Sequence, residues 1–239
     1  MRDAIWFRAV CRQNGIDVTD EQIAKLERFS ELLLNWNKKI NLISRRDEEN
    51  FWTSHLLHSV SILFRLRFPQ QASVIDLGTG GGLPGIPLKI LLPEISITLL
   101  DSTQKKIQAV QDILDSLSIK NASAIWGRAE DLGKRTDHRG LYDIVVARAV
   151  APLRDLVHWS QPLLKATGGP KNERKSESTG LIDLVLPTLI ALKGGSLEAE
   201  VRSASRAGSV ASIQTIDLTL AGSVQLEAGD KKIVLVTYR

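Results

Sequence analysis

The 239-residue chain has a single cysteine, Cys11. This excludes an internal disulfide framework and any cysteine-cluster metal site, and a reducing compartment is its natural setting. No uninterrupted apolar run approaches membrane-spanning length, and the opening MRDAIWFRAV lacks a signal-peptide core. A cytoplasmic protein with no membrane partner is expected. There is no internal repeat. No Cys, His or Asp pair stands out as a nucleophile with its base, and no metal is expected. Otherwise the composition is that of an ordinary globular chain, 43% hydrophobic and 24% charged. Its length allows one large α/β domain with an appendage. A net charge of +4 and a pI of about 9.2 favour a polyanionic partner, although many basic proteins bind nothing acidic.

The most informative stretch is VIDLGTGGGLPGIPLKILLP, residues 74–93. A β-branched apolar run reads as a buried strand and ends at Asp76. Gly78, Gly80, Gly81 and Gly82 follow, where the backbone needs positive φ or a close approach to a ligand. Pro84 and Pro87 sit at a helix entry, and Pro93 stops the helix. In this layout backbone N–H groups face a ligand. A dinucleotide fingerprint needs glycine at the position of Leu83, so a nicotinamide-dependent oxidoreductase is disfavoured. A carboxylate directly before the glycines instead resembles the first motif of class I methyltransferases that use S-adenosylmethionine. The ligand there carries a cationic amine and a sulfonium, which Asp76 suits electrostatically.

Residues 1–70 carry helical period and no strand signal. Ile5, Trp6, Ala9 and Val10 fall on one face of a helix closed at Asn14-Gly15. Thr19 and Gln22 predict a capping box, followed by the stripe Ile23, Leu26, Phe29, Leu33, Trp36, Ile40. A third helix presents Trp52, Leu56, Val60 and Leu63. The tryptophans read as packing against the next domain. From residue 71 to 239 strands and helices alternate, predicting a parallel sheet covered on both faces. Beyond the strand that ends at Asp76, strands are expected at 95–101, 122–126, 142–147 and 188–192, with a closing pair at 213–218 and 232–238. The closing pair is joined by a loop with Gly222 and Gly229. Residues 165–180, KATGGPKNERKSESTG, have almost nothing to bury and predict a mobile surface insertion.

Asp101 ends the second strand, where a carboxylate can accept both ribose hydroxyls of an adenosine ligand. A plain helix cap is the alternative, and Ser102 or Thr103 can also cap the helix that follows. After the third strand, Gly127-Arg128-Ala129-Glu130-Asp131 offers a backbone N–H and an acidic side chain to an adenine edge. Arg148 follows the fourth strand at the same rim. It can orient cofactor or substrate, or pair with Asp143 or Asp155 as an ordinary surface ion.

WNKKINLIS, SHLLHS, DLGTGGGLPGIPL, LLDSTQKK, GRAED, VVARAVAPL and IALKG, in this order over nearly the whole chain, resemble the bacterial RsmG family, also called GidB. The resemblance implies an α/β class I methyltransferase: Rossmann-like, with a mostly parallel seven-stranded sheet, a closing antiparallel strand and a small helical region before it. It implies S-adenosyl-L-methionine as cofactor and methylation of N7 of one guanine in 16S ribosomal RNA, with the small ribosomal subunit as partner. For the cofactor site it implies Gly78, Leu83, Asp101, Ser102, Thr103, Ala129, Glu130 and Arg148. Asp76 and Gly80 join these from the residue-level reading. Two departures stand out: His58 replaces the aspartate usual in the family's HxxDS segment, and the 165–180 insertion is longer than its usual turn.

Guanine N7 is an unprotonated acceptor, so direct in-line transfer needs no general base. Arg45, Arg46, Lys105, Lys106 and Arg128 are candidates for phosphate contact, with solvated surface the plainer reading of each. A small-molecule methyltransferase and a non-catalytic RNA-binding protein are the rival readings. A monomer is favoured.

Overall fold

The computed structural model describes residues 3–166, 180–222 and 230–239. Most of the expected insertion (167–179) and Gly229 of the closing loop lie outside these residues. The first helix, α1 (Ala4–Gln13), starts at Asp3, whose carboxylate accepts from the Ile5 and Trp6 N–H groups. Its buried face is Ala4, Phe7, Val10 and Cys11, whereas Ile5 is 81% exposed. The sequence pattern placed Ile5 on the inner face. The helix is rotated because the larger Phe7 ring packs edge-on against Trp52, with centroids 5.4 Å apart.

The long helix α2 (Asp20–Asn37) carries the expected capping box between Thr19 and Gln22 and buries Leu26, Phe29 and Leu33. The Gln22 amide also donates to the Ile90 and Leu91 carbonyls, 3.2 Å from each. The expected third helix is broken into a π-helical turn (Trp52–Leu57), a short α3 (His58–Val60) and a 3-10 turn (Ser61–Phe64). Strand β1 (Leu66–Arg67) pairs with β6 (Ile182–Asp183), so residues 1–70 do contain a short strand, contrary to expectation. Two residues are too few to leave a period-2 pattern in the sequence.

The chain then alternates through β2 (Ser73–Leu77), α4 (Gly85–Leu91), β3 (Ser96–Asp101), α5 (Gln104–Ser116), β4 (Ala122–Trp126), α6 (Ala129–Leu132), β5 (Ile144–Arg148) and α7 (Leu153–Ser160). After β6 come β7 (Thr188–Gly194), α8 (Glu198–Ala204), β8 (Val210–Asp217) and β9 (Lys231–Tyr238). The main sheet has seven strands in the order β4-β3-β2-β5-β7-β9-β8. The first five are parallel; β9 runs antiparallel between β7 and β8.

Strand β2 is buried on both faces, as a central parallel strand must be. Val74 joins a core with Ile97, Leu99, Phe29 and Leu33 on the side of α2, α4 and α5. Ile75 and Leu77 join a second core with Val145, Leu156 and Val157 beneath α7. The strand order reverses between β2 and β5. A crevice at the carboxyl ends of these strands is the standard ligand position in such sheets.

Candidate functional site at the tip of the central strand

Asp76 is completely enclosed. Its Oδ2 accepts from Thr79 Oγ1 at 2.7 Å and from the Gly85 N–H at 2.9 Å. One carboxylate oxygen thus ties the start of the glycine turn to the first residue of α4. Burial pushes its pKa up to about 6, opposed by the bonds from Thr79 and Gly85. Oδ1 is buried without a hydrogen-bond partner. The sequence placed this carboxylate beside a ligand; in the fold it holds the turn from within.

Gly78, Gly80 and Gly82 take φ of +68°, +57° and +86°, the left-handed conformation that the pattern predicts. The close-packing glycine that the dinucleotide fingerprint places at Leu83 occurs two residues later. A Cβ on Gly85 would lie 2.2 Å from Leu99 Cδ2 and 2.8 Å from Asp76 Oδ2. Leu83 itself is buried in the core, and its N–H donates to the Thr79 carbonyl at 2.9 Å. Its contribution to the turn is apolar anchoring.

Asp101 is 7% exposed at the tip of β3. Its Oδ2 accepts from the Gly80 N–H at 3.0 Å and its Oδ1 from the Thr103 N–H at 2.8 Å. Thr103 is the cap position of α5, but neither its hydroxyl nor that of Ser102 makes a capping bond. The carboxylate two residues earlier takes that place, correcting the expected hydroxyl cap. Each Asp101 oxygen retains capacity for a second bond. Ser102 and Thr103, on the loop after β3, are exposed; at the start of α6, beyond the tip of β4, Glu130 is exposed and Ala129 half-buried.

Arg148 stands at the tip of β5, and neither anticipated ion pair forms. Asp143 bonds Ser73 and Lys165 instead. The Arg148 guanidinium meets His55 Nδ1 at 3.3 and 3.2 Å. Because an arginine only donates, Nδ1 accepts and the imidazole proton sits on Nε2. That nitrogen lies 3.7 Å from Asp47 Oδ2. Burial and the neighbouring guanidinium push His55 and His58 down to about 3, so both are neutral. Burial lowers Arg148 to about 10, and Asp76 and Asp47 oppose that shift.

His55 sits on the π-helical turn, a distortion common where a side chain must be re-aimed. Its link to Arg148 leaves no local trace, because 93 residues separate the two. The motif SHLLHS was the available signal.

Residues 41–45 form another wall. Asn37, buried at the end of α2, accepts from the Leu42 and Ile43 N–H groups and donates to Glu48. The segment lies against the turn, so that a Cβ on Gly81 would stand 3.2 Å from Leu42 Cβ. Asn41, Leu42, Ile43, Ser44 and Arg45 line an open cleft of about 570 Å³. At the start of the turn Val150 covers Gly78, with both methyls 2.7 Å from a Cβ built there. The central turn therefore touches both the amino-terminal region and the loop after β5.

The family model for GidB, rRNA small subunit methyltransferase G, matches residues 22–170, well over half of the chain. The chain belongs to this family. It is 41% identical over 203 residues to the ribosomal RNA small subunit methyltransferase G of Chlorobium luteolum, covering 84% of this chain and 75% of that one. The protein of the same name from Chlorobaculum tepidum is 38% identical over 235 residues, 97% of each. Among solved structures, a predicted O-methyltransferase of Agrobacterium tumefaciens superposes with a TM-score of 0.54 at 12% identity, covering 77% of this chain and 80% of that chain. Aeropyrum pernix fibrillarin, a complex with S-adenosyl-L-methionine, gives 0.53 at 10% identity over 76% of each. These likenesses show the fold: this GidB-family methyltransferase has the class I architecture that its sequence predicts. Among the described residues, no helix is long and apolar enough to cross a membrane.

Proposed function

We propose that this GidB-family protein methylates N7 of a guanine in 16S ribosomal RNA, using S-adenosyl-L-methionine, in the cytoplasm and as a monomer. The near full-length similarity to a ribosomal RNA small subunit methyltransferase G carries the reading. The residues at the strand tips fit the cofactor. Asp101 keeps free acceptor capacity for ribose hydroxyls, and the glycine turn allows close backbone approach. Ser102, Thr103, Ala129 and Glu130 border the adenine end of the proposed site. Arg148 offers further donors to an anionic group. The bound cofactor supplies an activated methyl group.

The protein's part is positional. Guanine N7 has an available lone pair, so the chain need only hold that edge in line with the methyl and limit water. Asp76 and Thr79 keep the turn in one shape, and His55 orients Arg148. The amino-terminal region, residues 1–70, supplies the wall through Leu42, and residues 71–239 supply the cofactor floor. A cationic product base forms as the methyl transfers, and neutral His55 and His58 add no repulsion to it.

The test is incubation with labelled cofactor and small ribosomal subunits lacking the modification, followed by nucleoside identification. Label in 7-methylguanosine of 16S RNA is expected. Label in another nucleoside, or none despite cofactor binding, would overturn the assignment.

A further inference from the structure

Trp126 is 58% exposed at the tip of the edge strand β4. Its indole is nevertheless fixed: Nε1 donates to the Ser102 carbonyl at 3.1 Å. The ring's one polar group is satisfied by backbone, and what remains is apolar aromatic surface held at the rim. Strand register sets Trp126 opposite Asp101, and the Gly127 N–H donates to the Asp101 carbonyl at 3.1 Å. The platform is therefore mounted on the strand beside the one whose tip carries the proposed ribose acceptor.

Its surroundings are cationic. Lys105 and Arg128 are exposed and Lys106 is half-buried. Among the described residues, none of the three lies within 4 Å of a carboxylate. Both lysines occupy the first turn of α5, which has no acidic residue. Cations there oppose the helix dipole, and the helix alone gives no reason for them. Of the acids on the neighbouring α6, Asp131 is engaged by Lys134 at 3.0 Å, and Glu130 is exposed.

We infer that Trp126 is a stacking platform for an unpaired RNA base beside the target nucleotide, with Lys105, Lys106 and Arg128 holding the adjoining phosphates. An exposed ring can stack on any base face, and flanking cations follow the strand. The charge around the ring favours RNA over an apolar protein partner. The inference rests on the RNA-methyltransferase reading and locates a contact outside the reacting guanine.

The experiment compares wild type, Trp126→Leu and Trp126→Phe for affinity to an RNA fragment carrying the target loop, affinity to S-adenosylhomocysteine, and methylation of small subunits. Leucine should weaken RNA binding about tenfold, phenylalanine should restore part of it, and kcat should stay within about twofold. Affinity for S-adenosylhomocysteine should be unchanged. Fluorescence quenching on RNA addition should diminish in both variants. Lys105→Ala with Arg128→Ala should flatten the salt dependence of RNA binding. Unchanged RNA affinity in folded Trp126→Leu would overturn the inference, as would a loss confined to S-adenosylhomocysteine, which would assign the ring to adenine. A wild-type protein that binds the RNA fragment yet methylates no RNA would defeat the enzymatic reading and leave the platform standing. Failure to bind the fragment by a protein that still methylates small subunits would overturn the inference alone.

Discussion

Acid should loosen this protein through its two buried histidines. His55 and His58 are held neutral with pKa near 3, against an ordinary value of 6.5. The unfolded chain takes up these protons as pH falls below 6.5, while the folded chain does not. The corresponding stability is complete above 6.5 and is lost progressively toward 3. At pH 5 each histidine has lost about 1.5 pH units of this protection, or about 2 kcal/mol. Asp76 has the opposite sign. Its folded pKa of about 6 exceeds its ordinary 3.8, so the folded chain gains a proton first and recovers about 1 kcal/mol by pH 5. The net loss between pH 7 and 5 is about 3 kcal/mol, a large share of a typical domain's stability. Urea unfolding followed by tryptophan fluorescence at the two pH values measures it. His58→Asn should remove about 2 kcal/mol of the difference, and His55→Asn somewhat less because its ring is partly accessible. If the double variant keeps the full pH dependence, the reasoning fails.

Three further outcomes follow from the turn and its walls. Gly85→Ala forces a Cβ against Leu99 and Asp76 and should cost about 2 kcal/mol by overpacking, together with cofactor affinity; thermal unfolding and calorimetry check both. Unchanged melting would refute the close approach. Thr79→Ala removes the hydroxyl bond that lowers the Asp76 pKa, so that carboxyl should titrate higher still and stability should drop by about 1 kcal/mol at pH 7, read by carboxyl NMR and urea unfolding. Asn37→Ala leaves two backbone N–H groups near Leu42 without their acceptor and should cost about 2 kcal/mol. It should raise KM for the small subunit more than Kd for cofactor; the opposite pattern would place the 41–45 wall on the cofactor side.

The parts legible in the sequence were those governed by local chemistry. Positive φ at Gly78, Gly80 and Gly82 follows from residue type, and the Thr19–Gln22 box from spacing. The alternation of strands and helices marks a parallel sheet, but the order of its strands is set by tertiary pairing. Contacts across the fold were hidden. Nothing local shows that Asp76 turns inward to Gly85, or that Arg148 takes His55 and declines Asp143 and Asp155. The helical period could not reveal the π-helical turn that aims His55. Ile5 was misplaced because hydrophobicity alone could not show that Phe7, not Ile5, meets Trp52. The two-residue pair of β1 and β6 exists only through tertiary contact.

Gln22 joins parts of the molecule that sequence distance keeps apart. One amide side chain closes the beginning of α2 and latches onto the last carbonyls of α4. Because α4 springs directly from the glycine turn, the amino-terminal helices are indexed to that turn. A change that tilts α4 must therefore carry α2, and with it the Asn37-pinned segment. Substrate wall and cofactor floor are geared together, and evolution cannot retune one without re-aligning the other.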